Sequence, residues 1–167
     1  MLIRSELPAD YDSIRNIHIA AFAHHPYSHQ TEHLIVAALR ADNALTVSLV
    51  AVVNGDVVGH IAFSPMKING LDCKWLTLGP IAVAPDHQRQ GIGQRLVRAG
   101  LDAIRSLGAE GCVLVGDPAF YRRFGFENNP SGLRMEGVPP EVIMCLSMCG
   151  QMPEGIVTHH PAFFVGE

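Results

Sequence analysis

Positive charge is in short supply: 12 lysines and arginines stand against 16 aspartates and glutamates, a formal net charge of −4. Such a chain has no general electrostatic grip on nucleic acid or on anionic lipid. Charge of either sign is thin, at 17% of residues, while 48% are hydrophobic. The 167 residues therefore carry enough apolar material for one core and too few charges for a disordered segment. Long apolar runs are missing as well, since the longest, within Leu45 to Val53, falls far short of the ~20 residues a membrane helix needs. The opening MLIRSELPAD has neither the apolar stretch nor the small-residue cleavage site of a secretory signal, so a cytoplasmic protein is expected. Cysteine is confined to Cys73, Cys112, Cys145 and Cys149 with no C-x-x-C pair, which argues against a disulfide framework or a zinc site. No repeat or low-complexity segment divides the chain, and residues 1–167 read as a single domain.

What is present is a mixed α/β pattern. A short strand at Leu2 to Arg4 precedes a helix in which Tyr11, Ile14, Ile17, His18, Ala21 and Phe22 recur at helical spacing. A polar loop, AHHPYSHQ, leads to a second helix over Thr31 to Arg40, with Leu34, Ile35, Ala38 and Leu39 on one side and its acids and bases facing outward. Two β-rich runs then flank Asn54-Gly55, the dipeptide best suited to a type I′ hairpin, and Asn69-Gly70 continues the meander into a fourth strand. Gly79-Pro80 interrupts that strand; proline cannot donate to a ladder, so the sheet should open there. After Pro85 comes a helix with Ile92, Leu96, Val97, Leu101 and Ile104 on its buried side, ending near Gly108. A buried strand, Cys112 to Gly116, follows and should run parallel to its predecessor because a crossover helix joins them. Asp117-Pro118 reads as an N-cap and first helical turn, and Gly125 as the cap that closes the short helix. Strands near Phe126 and at Glu141 to Met148 are expected next, with 150–167 as a final edge strand or tail.

The stretch LGPIAVAPDHQRQGIG concentrates the chemistry. A strand ends, a glycine-bearing loop turns and a long helix begins, so unpaired N–H groups and the positive end of the helix dipole converge on one point. Phosphate is the natural ligand, and Gly91 and Gly93 let the backbone approach it. A P-loop is excluded because G-x-x-x-x-G-K-[ST] is absent. A dinucleotide fingerprint would need a third small residue where Leu96 stands.

In these residues the chain resembles the GNAT acyltransferases, whose motif Q/R-x-x-G-x-G/A stands here as Gln88-Arg89-Gln90-Gly91-Ile92-Gly93. Its setting after the strand IAV, with FYRRFGF about 30 residues on, makes the match specific, and the similarity in element order spans Met1 to Met148. The resemblance implies an α/β GNAT fold, with a mixed central sheet splayed between the fourth and fifth strands and flanked by helices. It implies acetyl-CoA as the acyl donor, with the pyrophosphate on the amides of Gln88, Arg89, Gln90, Gly91, Ile92 and Gly93. The pantetheine arm would pair with Ile81, Ala82 and Val83 by strand addition, and Asp117 and Tyr121 would lie beside the coenzyme. Tyr121 matches the family tyrosine that acts as general acid toward the departing thiolate, a role a phenol neutral at pH 7 can fill; its plainer reading is an aromatic that packs the short helix.

The family's strand glutamate, the usual general base, has no counterpart, because Trp75 to Ala84 contains no acid. Glu32 is the first candidate, with His60 and Asp117 behind it; their plainer readings are a solvated helix charge, a satisfied strand histidine and a helix cap. His24, His25, His29 and His33 invite a metal site, but Pro26 and Tyr27-Ser28 break the helix that would align them, and no metal is expected. Arg89, Arg95, Arg122 and Arg123 could reach coenzyme phosphates. The expected reaction is acetyl transfer from acetyl-CoA to a small-molecule or peptide amine in a ternary complex. A thioester on Cys112 is disfavoured by that residue's place on a buried strand. The competing class is a non-catalytic acyl-CoA sensor. No nucleic acid or membrane partner is expected, and the tail PAFFV would cover the domain's own edge or join a homodimer.

Overall fold

The computed structural model describes residues 1–129 and 131–167. Both Asn-Gly pairs make the expected turns, with φ of 52° and 83° at Asn54 and Gly55, and of 52° and 75° at Asn69 and Gly70. They link β2 (Val47–Val53), β3 (Asp56–Ile68) and β4 (Leu71–Val83) into an antiparallel meander with β1 (Leu2–Ser5) on its outer edge. Helices α1 (Tyr11–Phe22) and α2 (Glu32–Ala41) cover one face of this sheet, and α3 (Ile92–Ser106) covers the other. All five predicted apolar residues of α3 are buried, against Phe63, Ile61 and Leu78.

β5 (Gly111–Val115) runs parallel to β4, as a crossover helix requires, and β7 (Ile143–Ser147) pairs antiparallel with β5. Among the described residues the sheet order is β1-β2-β3-β4-β5-β7, a mixed α/β arrangement. The short helix α4 (Pro118–Tyr121) follows β5; the Asp117 carboxylate accepts from Ala119 N–H at 2.9 Å, and Gly125 closes the turn with φ of 94°.

Several expectations need correction. The run at Phe126 is not a strand: Phe126 is a core side chain, and only Glu127 bridges to Cys145. The strand expected over Glu141 to Met148 begins at Ile143, because Pro139 and Pro140 lead into a 3-10 turn. The C-terminal segment holds β8 (Gly155–His159), which pairs with the far end of β3 and with β6 (Leu133–Arg134). Beyond β8, Pro161–Phe164 forms a 3-10 turn whose Ala162 and Phe163 pack on Ile35 and Leu39, so the aromatic tail covers its own helix α2. That contact, together with Val36 against Ile14 and Val50, rotates α2 so that Leu34 is exposed. Arg40 does not face outward either: it lies 3.8 Å over the Tyr11 ring and makes a two-bonded pair with Glu6 at 2.8 and 2.9 Å.

The junction of β4 and β5 depends on Gly111, which faces Trp75 across the ladder. A Cβ built there would overlap the buried indole of Trp75. Gly111→Ala is therefore expected to cost about 1–3 kcal/mol, read as a Tm lowered by about 2–4 °C per kcal/mol. An unchanged Tm would mean that Trp75 does not occupy this place.

Candidate active site

Among the described residues the β4–β5 ladder runs only over Trp75–Thr77 and Gly111–Val113, with the Glu110 N–H donating to the Lys74 carbonyl just before it. Beyond that rung β4 stays on β3 and β5 stays on β7, so their facing edges diverge from Leu78 and Leu114 onward. The parting begins where the sequence predicts it: from Ile61 to Phe63 on β3 the partners on β4 step from Ile81 to Leu78, so β4 carries an extra residue at Gly79–Pro80. Two neighbouring edges with no common ladder leave backbone donors and acceptors for an extended ligand. Ile81, Ala82 and Val83 lie on the β4 edge of this cleft.

The loop after β4 points to the same place. Gln88 donates its amide to the Val83 carbonyl at 3.0 Å, tying the loop to the strand end. Arg89 and Gly91 take left-handed φ of 63° and 82°, which turns the chain into α3 at Gly91. Among the described residues no side chain caps this helix, so the first-turn N–H groups of Ile92 and Gly93 remain free beside the positive end of the dipole. Gly93 faces Val83 and Phe120, so the start of α3, the end of β4 and helix α4 converge.

Tyr121 stands at that meeting point. Its ring lies over Gly116 at the end of β5 and packs among Phe120, Phe124 and Phe126. Burial, with Cys112 and Asp117 adding to it, pushes the phenol up to about 12, so it is a neutral proton donor at any physiological pH. Cys112 is fully buried and its thiol is raised well above its ordinary range, which makes it a poor nucleophile. All four cysteines are free thiols. Arg123 lies over Phe120 at 4.9 Å and Arg122 bonds Asn128 at 3.0 Å, so both have partners within the fold.

The base candidates diverge. Glu32, in the first turn of α2, takes the Ser28 hydroxyl on both oxygens at 2.7 and 2.8 Å, fastening the α1–α2 loop. Asp117 is occupied as the cap of α4. His60 is completely buried on the α1 side of β3, with its Nδ1 2.8 Å from His18 Nε2 and its Nε2 2.8 Å from Ser48 Oγ. Desolvation, with Arg40 adding to it, lowers His60 to about 3. His18, read from the sequence as one more position on the inner face of α1, is the residue that sequence reasoning missed; a polar group among Ile14 and Ile17 was its only signal. The residues 24–31 form an irregular loop, and no group of three or more metal-binding side chains occurs among the described residues. No helix among them is long and apolar enough to cross a membrane.

The comparisons with known proteins agree with this geometry. The model of the acetyltransferase (GNAT) domain matches residues 45–128. An uncharacterized N-acetyltransferase of Escherichia coli, YhbS, is 40% identical over 128 residues, covering 76% of this chain and 74% of its own. Its crystal structure with CoA superimposes with a TM-score of 0.84 at 33% identity, over 99% of this chain and 93% of that one. A GNAT family acetyltransferase of Brucella melitensis, crystallised with acetyl-CoA, is 47% identical with a TM-score of 0.87, over 97% of both chains. With the parted strands and the uncapped, glycine-started helix in place, the chain belongs to the GNAT acetyltransferase family.

Proposed function

We propose that this protein transfers the acetyl group of acetyl-CoA to a primary amine by direct attack in a ternary complex. The observation that carries the reading is the convergence of the free edge of β4 with the uncapped start of α3. The first suits an extended amide-bearing arm, the second a pyrophosphate, and coenzyme A joins the two in one molecule. The similar Brucella and E. coli proteins, crystallised with acetyl-CoA and CoA, support it. In this reading the pyrophosphate rests on the amides of Gln88 to Gly93, the pantetheine pairs along Ile81 to Val83, and Asp117 and Tyr121 flank the thioester end. The amine nitrogen attacks the carbonyl carbon, the C–S bond breaks with its electron pair going to sulfur, and the Tyr121 hydroxyl supplies the proton that makes the thiol.

Calorimetric titration tests the reading. Acetyl-CoA is expected to bind saturably, with Kd on the order of micromolar, and NAD not at all. A folded protein that ignores acetyl-CoA overturns the proposal. Binding without acetyl transfer to any amine would assign the chain to acyl-CoA sensing.

A further inference from the structure

At the apex of the parting between β4 and β5 one ring carries a donor that the fold itself leaves unused. Thr77 is the last β4 residue on the ladder to β5, paired with Val113. Leu76 and Leu78 on either side of it turn into the core under α3, so the Thr77 side chain faces the opposite side of the sheet. There β8 brings in His159, whose Nδ1 lies 2.8 Å from Thr77 Oγ1. Phe163 stacks on the imidazole at 4.8 Å, with 28° between the two planes, and so sets the tilt of the ring.

The direction of the Thr77–His159 bond follows from valence. The Thr77 hydroxyl is buried, and His159 Nδ1 is its one partner among the described residues. Ser64, directly across on β3, is buried too, but its Oγ has no partner there and so does not take the Thr77 proton. The hydroxyl therefore donates to Nδ1, and a neutral His159 carries its own proton on Nε2. Burial holds the ring neutral by lowering it to about 4, and no charged side chain adds to that shift. Among the described residues Nε2–H has no partner, yet it is not sealed: His159 is half-buried, and its Nε2 is not one of the enclosed polar atoms. An open donor in so apolar a setting calls for an acceptor brought by a ligand.

In the acetyltransferase reading the pantetheine descends β4 from Val83 to Ile81, which aims the acyl end at Leu78 and the rung of Thr77 and Val113. His159 Nε2 lies within one ring's width of Thr77 Oγ1, so the oxygen it takes is only a few bonds from the attacking nitrogen. We infer that His159 Nε2–H binds a carbonyl oxygen of the acceptor, and hence that the amine acetylated carries an uncharged carbonyl on the neighbouring carbon, as an amino amide or a peptide N-terminus does. A carboxylate in this place would lose its water beside a single neutral donor. A hydroxyl would bring a proton that needs an acceptor of its own. The inference rests on the acetyltransferase reading and deepens it by naming the class of acceptor.

The test gives the full chain acetyl-CoA with alaninamide, its hydrocarbon isostere 3-methylbutan-2-amine, alanine, or an alanine tripeptide, and follows release of the CoA thiol. Each kcat/KM is referred to the neutral fraction of the amine. The wild type is expected to prefer alaninamide to the isostere and to alanine by at least ~tenfold. His159→Phe keeps the stack on Phe163 and loses the N–H, and it should lower the ratio of alaninamide to isostere by about tenfold or more. Thr77→Val combined with His159→Phe leaves no buried hydroxyl unpaired and should give the same lowered ratio, with Tm as the control for folding. His159→Gln, which can accept from Thr77 and donate onward, should restore part of the preference. A tripeptide used as well as alaninamide would assign chain ends as the source of the grouping, and its exclusion a small amide. A wild type that favours the isostere or alanine, a ratio that both Phe variants leave unchanged, or a wild type that binds acetyl-CoA yet acetylates none of these amines overturns the inference. Failure of the folded wild type to bind acetyl-CoA instead overturns the acetyltransferase reading itself.

Discussion

Gly91→Glu is expected to weaken acetyl-CoA binding at least ~100-fold while leaving the fold intact. Two effects act together at this position. Gly91 has φ of 82°, and a side chain in that region costs roughly 1–2 kcal/mol. The space around its missing Cβ is empty, so the loss is not one of packing. The larger effect is charge: a carboxylate at the start of α3 would take the place assigned to the pyrophosphate, using the free amides itself and repelling the coenzyme. Gly91→Ala separates the two, since it adds the strain without the charge; about tenfold weaker binding is expected of it. Calorimetry on both variants, with Tm as the control for folding, decides the matter. Equal, near wild-type affinity in both would remove the coenzyme from this loop.

Tyr121→Phe is expected to lower kcat by about 100-fold or more with the Kd for acetyl-CoA unchanged. The ring's contacts with Gly116, Phe120, Phe124 and Phe126 survive in phenylalanine, so stability should hold and only the hydroxyl is lost. Because the phenol titrates near 12, its proton is in place throughout the working range. Loss of Tyr121 should therefore depress the rate evenly across pH. A Phe variant with full turnover would reduce Tyr121 to a packing residue and leave the thiolate to solvent.

Much of the architecture was legible because it is encoded over a few residues. Asn54-Gly55 and Asn69-Gly70 can hold the positive φ of a type I′ turn, so the meander follows from two dipeptides. The period of Ile92, Leu96, Val97, Leu101 and Ile104 marks α3 without knowledge of its partner. Asp117 caps α4 through its own near neighbour, Ala119. The α2 face was misread because it is divided between the sheet and a C-terminal segment more than a hundred residues away, which no local period reports. Phe126 looked like a strand because a buried aromatic run reads the same whether or not a ladder forms beside it.

By itself, then, the sequence determined the hairpins, the crossover unit, the break at Gly79-Pro80 and the glycine-bearing turn into α3, all set by backbone preferences within a turn or two of chain. Tertiary structure alone decided that β8 returns to the end of β3 and that, among the described residues, the middle of β4 pairs with the start of β5 and then parts from it. It also joined His18 to His60 across 42 positions and aligned the chain back to Glu6. The physical reason is common to these cases: a hydrogen-bonding side chain shows its valence in the sequence, but which distant partner satisfies it is settled only when the core excludes water and leaves no other.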